Sequence, residues 1–197
     1  MNNNHGQLFM ITLLVLLVNP ALAFATTQPS NFTQVQAELS KQSNISGNFK
    51  QIKIIKLLSQ PLVSTGHFSL SKQYGLQWLQ TTPFKSRLMV TQNKIVQQLE
   101  NNPPTVLTQK QQPIIFSFSN IFLNVFNGNI SQIRQYFDVD FSGNLQHWQL
   151  TLKPKDSPLN KAIKQIQLSG DQYIRLIRIE DTQNNQTQII LYNVQGK

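Results

Sequence analysis

From Asn48 onward, apolar and polar residues alternate with period two, in segments that end at tight-turn signals. Segments of about eight residues joined in this way are the mark of an antiparallel meander. The first strand runs from Phe49 through Ile54 toward Leu58 and is interrupted at Ser59-Gln60-Pro61. Leu62 to Ser71 follows, with Leu62, Gly66, Phe68 and Leu70 on one face. Lys72 to Gly75 turns the chain into a strand on which Leu76, Trp78 and Gln80 alternate with Gln77, Leu79 and Thr81. After Pro83, Leu88 and Val90 alternate with Arg87, Met89 and Thr91, and Gln92-Asn93 leads to Ile95–Leu99. Val106 opens a further short segment. Strands return at Phe137–Phe141, His147–Lys153, Gln165–Ser169, Gln172–Glu180 and Thr187–Val194, the last two joined by a polar loop over Asp181–Gln186. This gives roughly ten strands, and sheets of that size curl.

A curled sheet with an apolar inner face needs a cover. Asn31 to Gln42 places Phe32, Val35 and Leu39 at helical spacing, with Ser30 as N-cap, and Asn44 to Gly47 reads as a turn. Ile121 to Phe126 predicts one or two helical turns, Ile130 to Tyr136 a short helix capped by Asn129, and Ser157-Pro158 an N-cap and N1 pair. The first helix and the 121–126 region are the candidate covers. The expected class is mainly β with α+β character, a curved antiparallel sheet covered by short helices.

Leu8 to Val18 is a run of apolar or near-apolar residues, too short to span a bilayer as a helix but suited to the core of a signal peptide. Asn19-Pro20 ends it, and Ala21-Leu22-Ala23 and Ala23-Phe24-Ala25 both offer small residues for cleavage after Ala23 or Ala25. Residues 1–25 are therefore assigned as a cleavable leader and 26–197 as one exported domain. The absence of cysteine suits a periplasm, removes disulfides and thiolate chemistry, and leaves no lipidation site after the apolar run.

The chain has 17 Lys+Arg against 8 Asp+Glu, a formal net charge of +9. Eight acids supply little for carboxylate metal sites or paired acid–base catalysis. Asp138 and Asp140 share a strand face as solvent-facing alternates to Phe137, Val139 and Phe141. His67 and His147 lie opposite the apolar face, and the sequence predicts no catalytic site, metal or cofactor. Lys50, Lys53 and Lys56, with Lys72, Lys85 and Arg87, are candidates for a basic rim that attracts anionic headgroups or an acidic partner. Nucleic acid is excluded by export and by the lack of a binding motif.

Phe68, Leu70, Leu76, Trp78, Leu88 and Val90 are alternate residues of consecutive strands and can share one face. Phe49 opens that face, and Trp148, Leu150 and Leu152 extend it. Phe118, Phe122 and Phe126 recur every four residues and could line a short lid. A pocket so lined can hold acyl chains by burial alone, at about 0.8 kcal/mol per methylene.

The order and spacing of several motifs resemble the LolA/LolB superfamily of periplasmic lipoprotein carriers. Gly47-Asn48-Phe49-Lys50-Gln51 is similar to that family's Phe-x-Gln opening strand. Gly66-His67-Phe68-Ser69-Leu70, then Gly75-Leu76-Gln77-Trp78, resemble its following pair of strands. Pro83 before Arg87-Leu88-Met89-Val90-Thr91, and Leu150-Thr151-Leu152-Lys153-Pro154-Lys155, continue the likeness over most of residues 30–194. The resemblance implies an open half-barrel, a hydrophobic concave face under a helical lid, and acylated lipoproteins or lipids as cargo. It also implies a monomer that takes cargo from an inner-membrane donor complex to an outer-membrane acceptor, without catalysis. Lys72 stands where the best-known carrier has a lid-tying arginine, and lysine lacks the bidentate fork of that residue. A packed, non-carrier envelope adaptor with a basic partner-binding surface is the rival expectation.

Overall fold

The computed structural model describes residues 30–42, 44–71, 73–91, 93–111, 116, 119–121, 123, 124 and 129–196. The expected leader lies outside these residues, as do Lys72, Phe118, Phe122 and Phe126.

Helix α1 (Asn31–Lys41) begins where expected: the Ser30 hydroxyl accepts a hydrogen bond from the Thr33 backbone N–H at 3.3 Å. Among the described residues eleven strands follow: β1 (Asn44–Ile54), β2 (Leu62–Ser71), β3 (Gly75–Thr82), β4 (Ser86–Val90), β5 (Ile95–Leu99), β6 (Thr105–Leu107), β7 (Phe137–Gly143), β8 (Trp148–Pro154), β9 (Ile163–Gly170), β10 (Ile174–Asp181) and β11 (Gln186–Gly196). Helix α2 (Ile130–Ile133) precedes β7, and a 3-10 turn (Leu159–Lys161) joins β8 to β9.

All eleven strands form one antiparallel sheet in the order β6-β5-β4-β3-β2-β1-β11-β10-β9-β8-β7. The first and last strands pair at its centre, while β6 and β7 are its edges, so it is an open sheet and not a closed barrel. The sheet divides into two wings on either side of the β1–β11 seam. Ser71 and Thr91, from one wing, line the same cavity as Tyr136 and Leu159, beside the other. The sheet therefore curls around a shared space.

Cross-strand register explains the inner face. Ile45, Leu70, Leu76, Val90, Ile95 and Leu107 form one row across β1 to β6. Gly47, Phe68, Trp78 and Leu88 form the next. On the second wing, Ile189, Ile177, Leu168, Leu150 and Phe141 make a matching row. A slip of one residue would turn each row to water, so the pattern fixes the register.

Three local expectations are corrected. Residues 44–47 are strand instead of turn, because Asn44 and Ile45 pair with Ser71 and Leu70, and Ile45 also with Gly196. Neighbours on both sides supply ladder bonds that outweigh the local turn preference. The bend of β1 appears as a bulge at Ser46/Asn48, opposite Asn193 at φ 52°. Strand β1 ends at Ile54 and not near Leu58, since 55–61 has no strand partner and the Leu58 N–H bonds back to the Ile55 carbonyl at 2.9 Å. Leu62 shares the facing of Phe68 but sits exposed at the strand's end. At the 3-10 turn the N-cap is Pro158, with no side-chain cap bond, so the Ser157-Pro158 pair does not act as N-cap and N1.

Candidate functional site

The predicted ligand residues occupy the concave face. Phe49, Phe68, Leu70, Leu76 and Val90 are buried, and Trp78 and Leu88 are partly buried against the same core. The Phe49 ring stacks on Trp78 with centroids 3.8 Å apart, and Phe68 lies 6.2 Å from Trp78. Gly66 makes this stack possible: a Cβ there would meet the Phe49 Cε1 at 2.8 Å and would run into the Leu79 carbonyl. Three residues far apart in sequence thus form one aromatic cluster on the first wing.

Trp148 and Leu150 do not join that cluster. They are buried on β8, and the Trp148 indole N–H donates to the Asp171 carbonyl at 2.5 Å. That bond pins Trp148 to the β9–β10 turn and gives it a place in the scaffold.

The cover comes from separate short pieces. Val35 and Leu39 of α1 are buried, and Phe32 packs edge-on against Phe141 at 5.1 Å with the Arg134 guanidinium 5.1 Å from its ring. The Asn31 side-chain amide donates to the Gly143 carbonyl at 3.1 Å. Phe116, Ser119, Asn120, Ile121, Leu123 and Asn124 are helical, and Phe116, Ile121 and Leu123 are buried in the core together with Ile133 of α2. The expected cover near 121–126 is thus seen through these residues, while the predicted lid aromatics and Lys72 lie outside the description.

Between this cover and the β2–β3 and β4–β5 turns lies a cavity of about 730 Å³. Ile121, Leu123, Ile133 and Leu159 give it an apolar wall. Ser71, Thr91, Tyr136 and a set of amides including Gln73, Asn93, Asn124 and Gln132 supply the rest. No charged side chain lines it among the described residues. Sequence reasoning missed this amide-lined mouth. Its residues come from turns and short helices without periodicity, and abundance of Asn and Gln was the only signal.

Charge is distributed away from the cavity. Lys50 and Arg87 alternate with Phe49 and Leu88 and so face the opposite side of the sheet, whereas Lys53, Lys56 and Lys85 sit at strand ends and turns. The expected basic rim is therefore split into two groups. On the second wing, hydrogen bonds from Lys164 and then Gln165 lower the Glu180 pKa. Burial pushes the Asp181 carboxyl upward, but hydrogen bonds from Asn185 and the Gln183 backbone outweigh it and the net shift is down. His67 meets the Asn48 side chain at 2.6 Å on the outer face, and His147, Asp138 and Asp140 are exposed. Among the described residues no group of three His, Asp or Glu could hold a metal.

Comparison with known proteins places this arrangement. A LolA superfamily protein from Nitrosomonas europaea is similar over 86% of this chain and 94% of its own, at 9% identity and TM-score 0.46. A DUF1329 family protein from Desulfovibrio piger covers 85% of this chain and 92% of its own, at 9% identity and TM-score 0.49. An outer membrane lipoprotein-sorting protein domain from Vibrio parahaemolyticus covers 84% and 91%, at 9% identity and TM-score 0.44. No curated protein sequence matches significantly. The model of the family "Outer membrane lipoprotein carrier protein LolA-like" matches residues 25–193, and the chain belongs to that family.

Proposed function

We propose that the protein is a periplasmic carrier that buries acyl chains of a lipoprotein, or of a related lipid, on the concave face of its first wing. The supporting observation is the seam between the face and its cover. An apolar sheet face is roofed by short separate helical pieces, and a cavity of about 730 Å³ opens along that roof. Displacing such a cover exposes Leu88, Trp78 and Phe68 while leaving the strand ladder whole. Each methylene buried there contributes about 0.8 kcal/mol, so transfer needs only a difference in burial between membrane and carrier. The amides at the mouth suit the polar, uncharged linkage next to an acyl chain. Residues 1–25 direct export, the remaining residues form a single carrier domain, and an inner-membrane donor and an outer-membrane acceptor complete the route. No catalytic step is involved.

One observation favours the rival adaptor reading: Phe49, Phe68, Leu70, Leu76 and Val90 are already buried. In that reading the core is permanently filled and the basic surface binds an envelope partner. An environment-sensitive apolar dye separates the two. Saturable binding that fatty acid displaces, and that Leu88→Glu weakens at least about tenfold in a folded protein, supports the carrier. Absence of binding, or unchanged affinity in folded Leu88→Glu protein, overturns it. Native mass spectrometry of protein taken from its own periplasm would then name the cargo.

A further inference from the structure

Residues 39–99 contain eight Lys or Arg and no Asp or Glu, so eight of the nine net positive charges lie in this one stretch. It builds β1 to β5, whose successive antiparallel neighbours send the β1–β2, β3–β4 and β5–β6 turns out of the same end of the sheet. That end is apolar as well as basic. Leu57 is 94% exposed, and Leu58, Leu62 and Phe84 are each about half exposed at 48%, 52% and 48%. Lys53, Lys56 and Lys85 are interleaved with them.

The projection of Leu57 is built into the fold. The Lys56 N–H donates to Asn185 Oδ1 at 2.9 Å, and the Asn185 side chain donates to Asp181 Oδ2 at 2.8 Å. The β1–β2 tip is thereby tied to the β10–β11 turn, while the Glu100 N–H ties β5 to the Lys85 carbonyl at 2.7 Å. Glu180, Asp181 and Glu100 are acids near this end: Glu180 is engaged by Lys164 and Gln165, and Asp181 by Asn185 and the Gln183 N–H, with Lys53 close enough to act on its charge.

We infer that this end is a docking surface for an anionic bilayer, with Leu57 and Leu58 entering the headgroup–acyl boundary and Lys53, Lys56 and Lys85 lying against lipid phosphates. Apolar tips flanked by lysine bind interfaces in this way, because burial and attraction to anionic lipid add. Among the described residues no helix is long and apolar enough to cross a membrane. The patch shares none of the described cavity-lining residues, and docking is separable from cargo binding.

The test is co-sedimentation of the purified protein with vesicles of phosphatidylcholine alone or mixed with phosphatidylglycerol. Retention on the mixed vesicles and release by salt are expected. Leu57→Glu/Leu58→Glu should cut retention by more than about tenfold. Lys53→Gln/Lys56→Gln/Lys85→Gln should cut it by about fivefold per lysine at low salt. Both variants share the same amino terminus as the parent, so that segment cancels, and both should keep the parent's affinity for the apolar dye. No retention on mixed vesicles overturns the inference and leaves the patch to an acidic protein. Equal retention of folded parent and Leu57→Glu/Leu58→Glu protein also overturns it.

Discussion

The two wings of the sheet have the same architecture and different surfaces. On the second wing, Leu150, Leu152, Leu168, Ile166 and Ile177 are all buried, acids and bases are equal in number, and three ion pairs form: Lys164 with Glu180 at 2.7 Å, Arg175 with Asp171 at 3.0 Å, Lys155 with Asp138 at 3.7 Å. On the first wing, Trp78 and Leu88 are only partly covered, large apolar side chains project at the turns, and the stretch that builds β1 to β5 has no acids. A balanced, closed wing stabilises the fold. An unbalanced, partly open wing keeps surface available for something else. The pairing of β1 with β11 lets one wing be held by the other.

The largest test of this division is truncation in each core. Phe49→Ala removes a ring stacked on Trp78 and should lose about 3–5 kcal/mol, and Leu152→Ala should lose about 2–5 kcal/mol, both read by urea unfolding. Only Phe49→Ala should also change the dye affinity of the folded protein. An equal change in Leu152→Ala would erase the distinction between wings. Next in size is the end of the cover: Ser30→Ala removes the cap of α1 and should cost about 1 kcal/mol. Its unfolding midpoint should fall while vesicle retention stays constant.

The smallest effects concern the paired charges. Lys164→Ala breaks an ion pair whose lysine is more than half exposed, and only a small drop in the denaturation midpoint is expected. The pH dependence has a definite sign. The Glu180 and Asp181 pKa values are lowered in the folded state, so their contribution is complete above the ordinary carboxylate range and is lost as pH falls through the lowered values. Hydrogen-exchange protection, taken relative to the intrinsic rate at each pH, should therefore fall at β10–β11 in acid before it falls at β3–β4, and a simultaneous fall would contradict it.

Much of this fold is legible in the residues because a strand has only two faces. The alternation at Phe68, Leu70, Leu76, Trp78, Leu88 and Val90 places them together whatever the rest of the chain does, and the Ser30 cap is equally local. Residues 44–47 carry a local turn signal and are nevertheless strand, because that state depends on partners at Ser71 and Gly196, beyond any local window. The amide-lined cavity was invisible for a related reason: Gln73, Asn93, Gln132 and Leu159 meet only after an eleven-stranded sheet has curled.

The antiparallel class, the inward residues of each strand and the basic character of the first wing follow from periodicity and from counting charges along the chain. Tertiary structure alone decided that β1 closes on β11, that Gly66 leaves room for the Phe49–Trp78 stack, and that Lys56 bonds to Asn185 and fixes Leu57 in solvent. Each joins residues distant along the chain, where no local preference acts and only the packing of the whole sheet selects the contact.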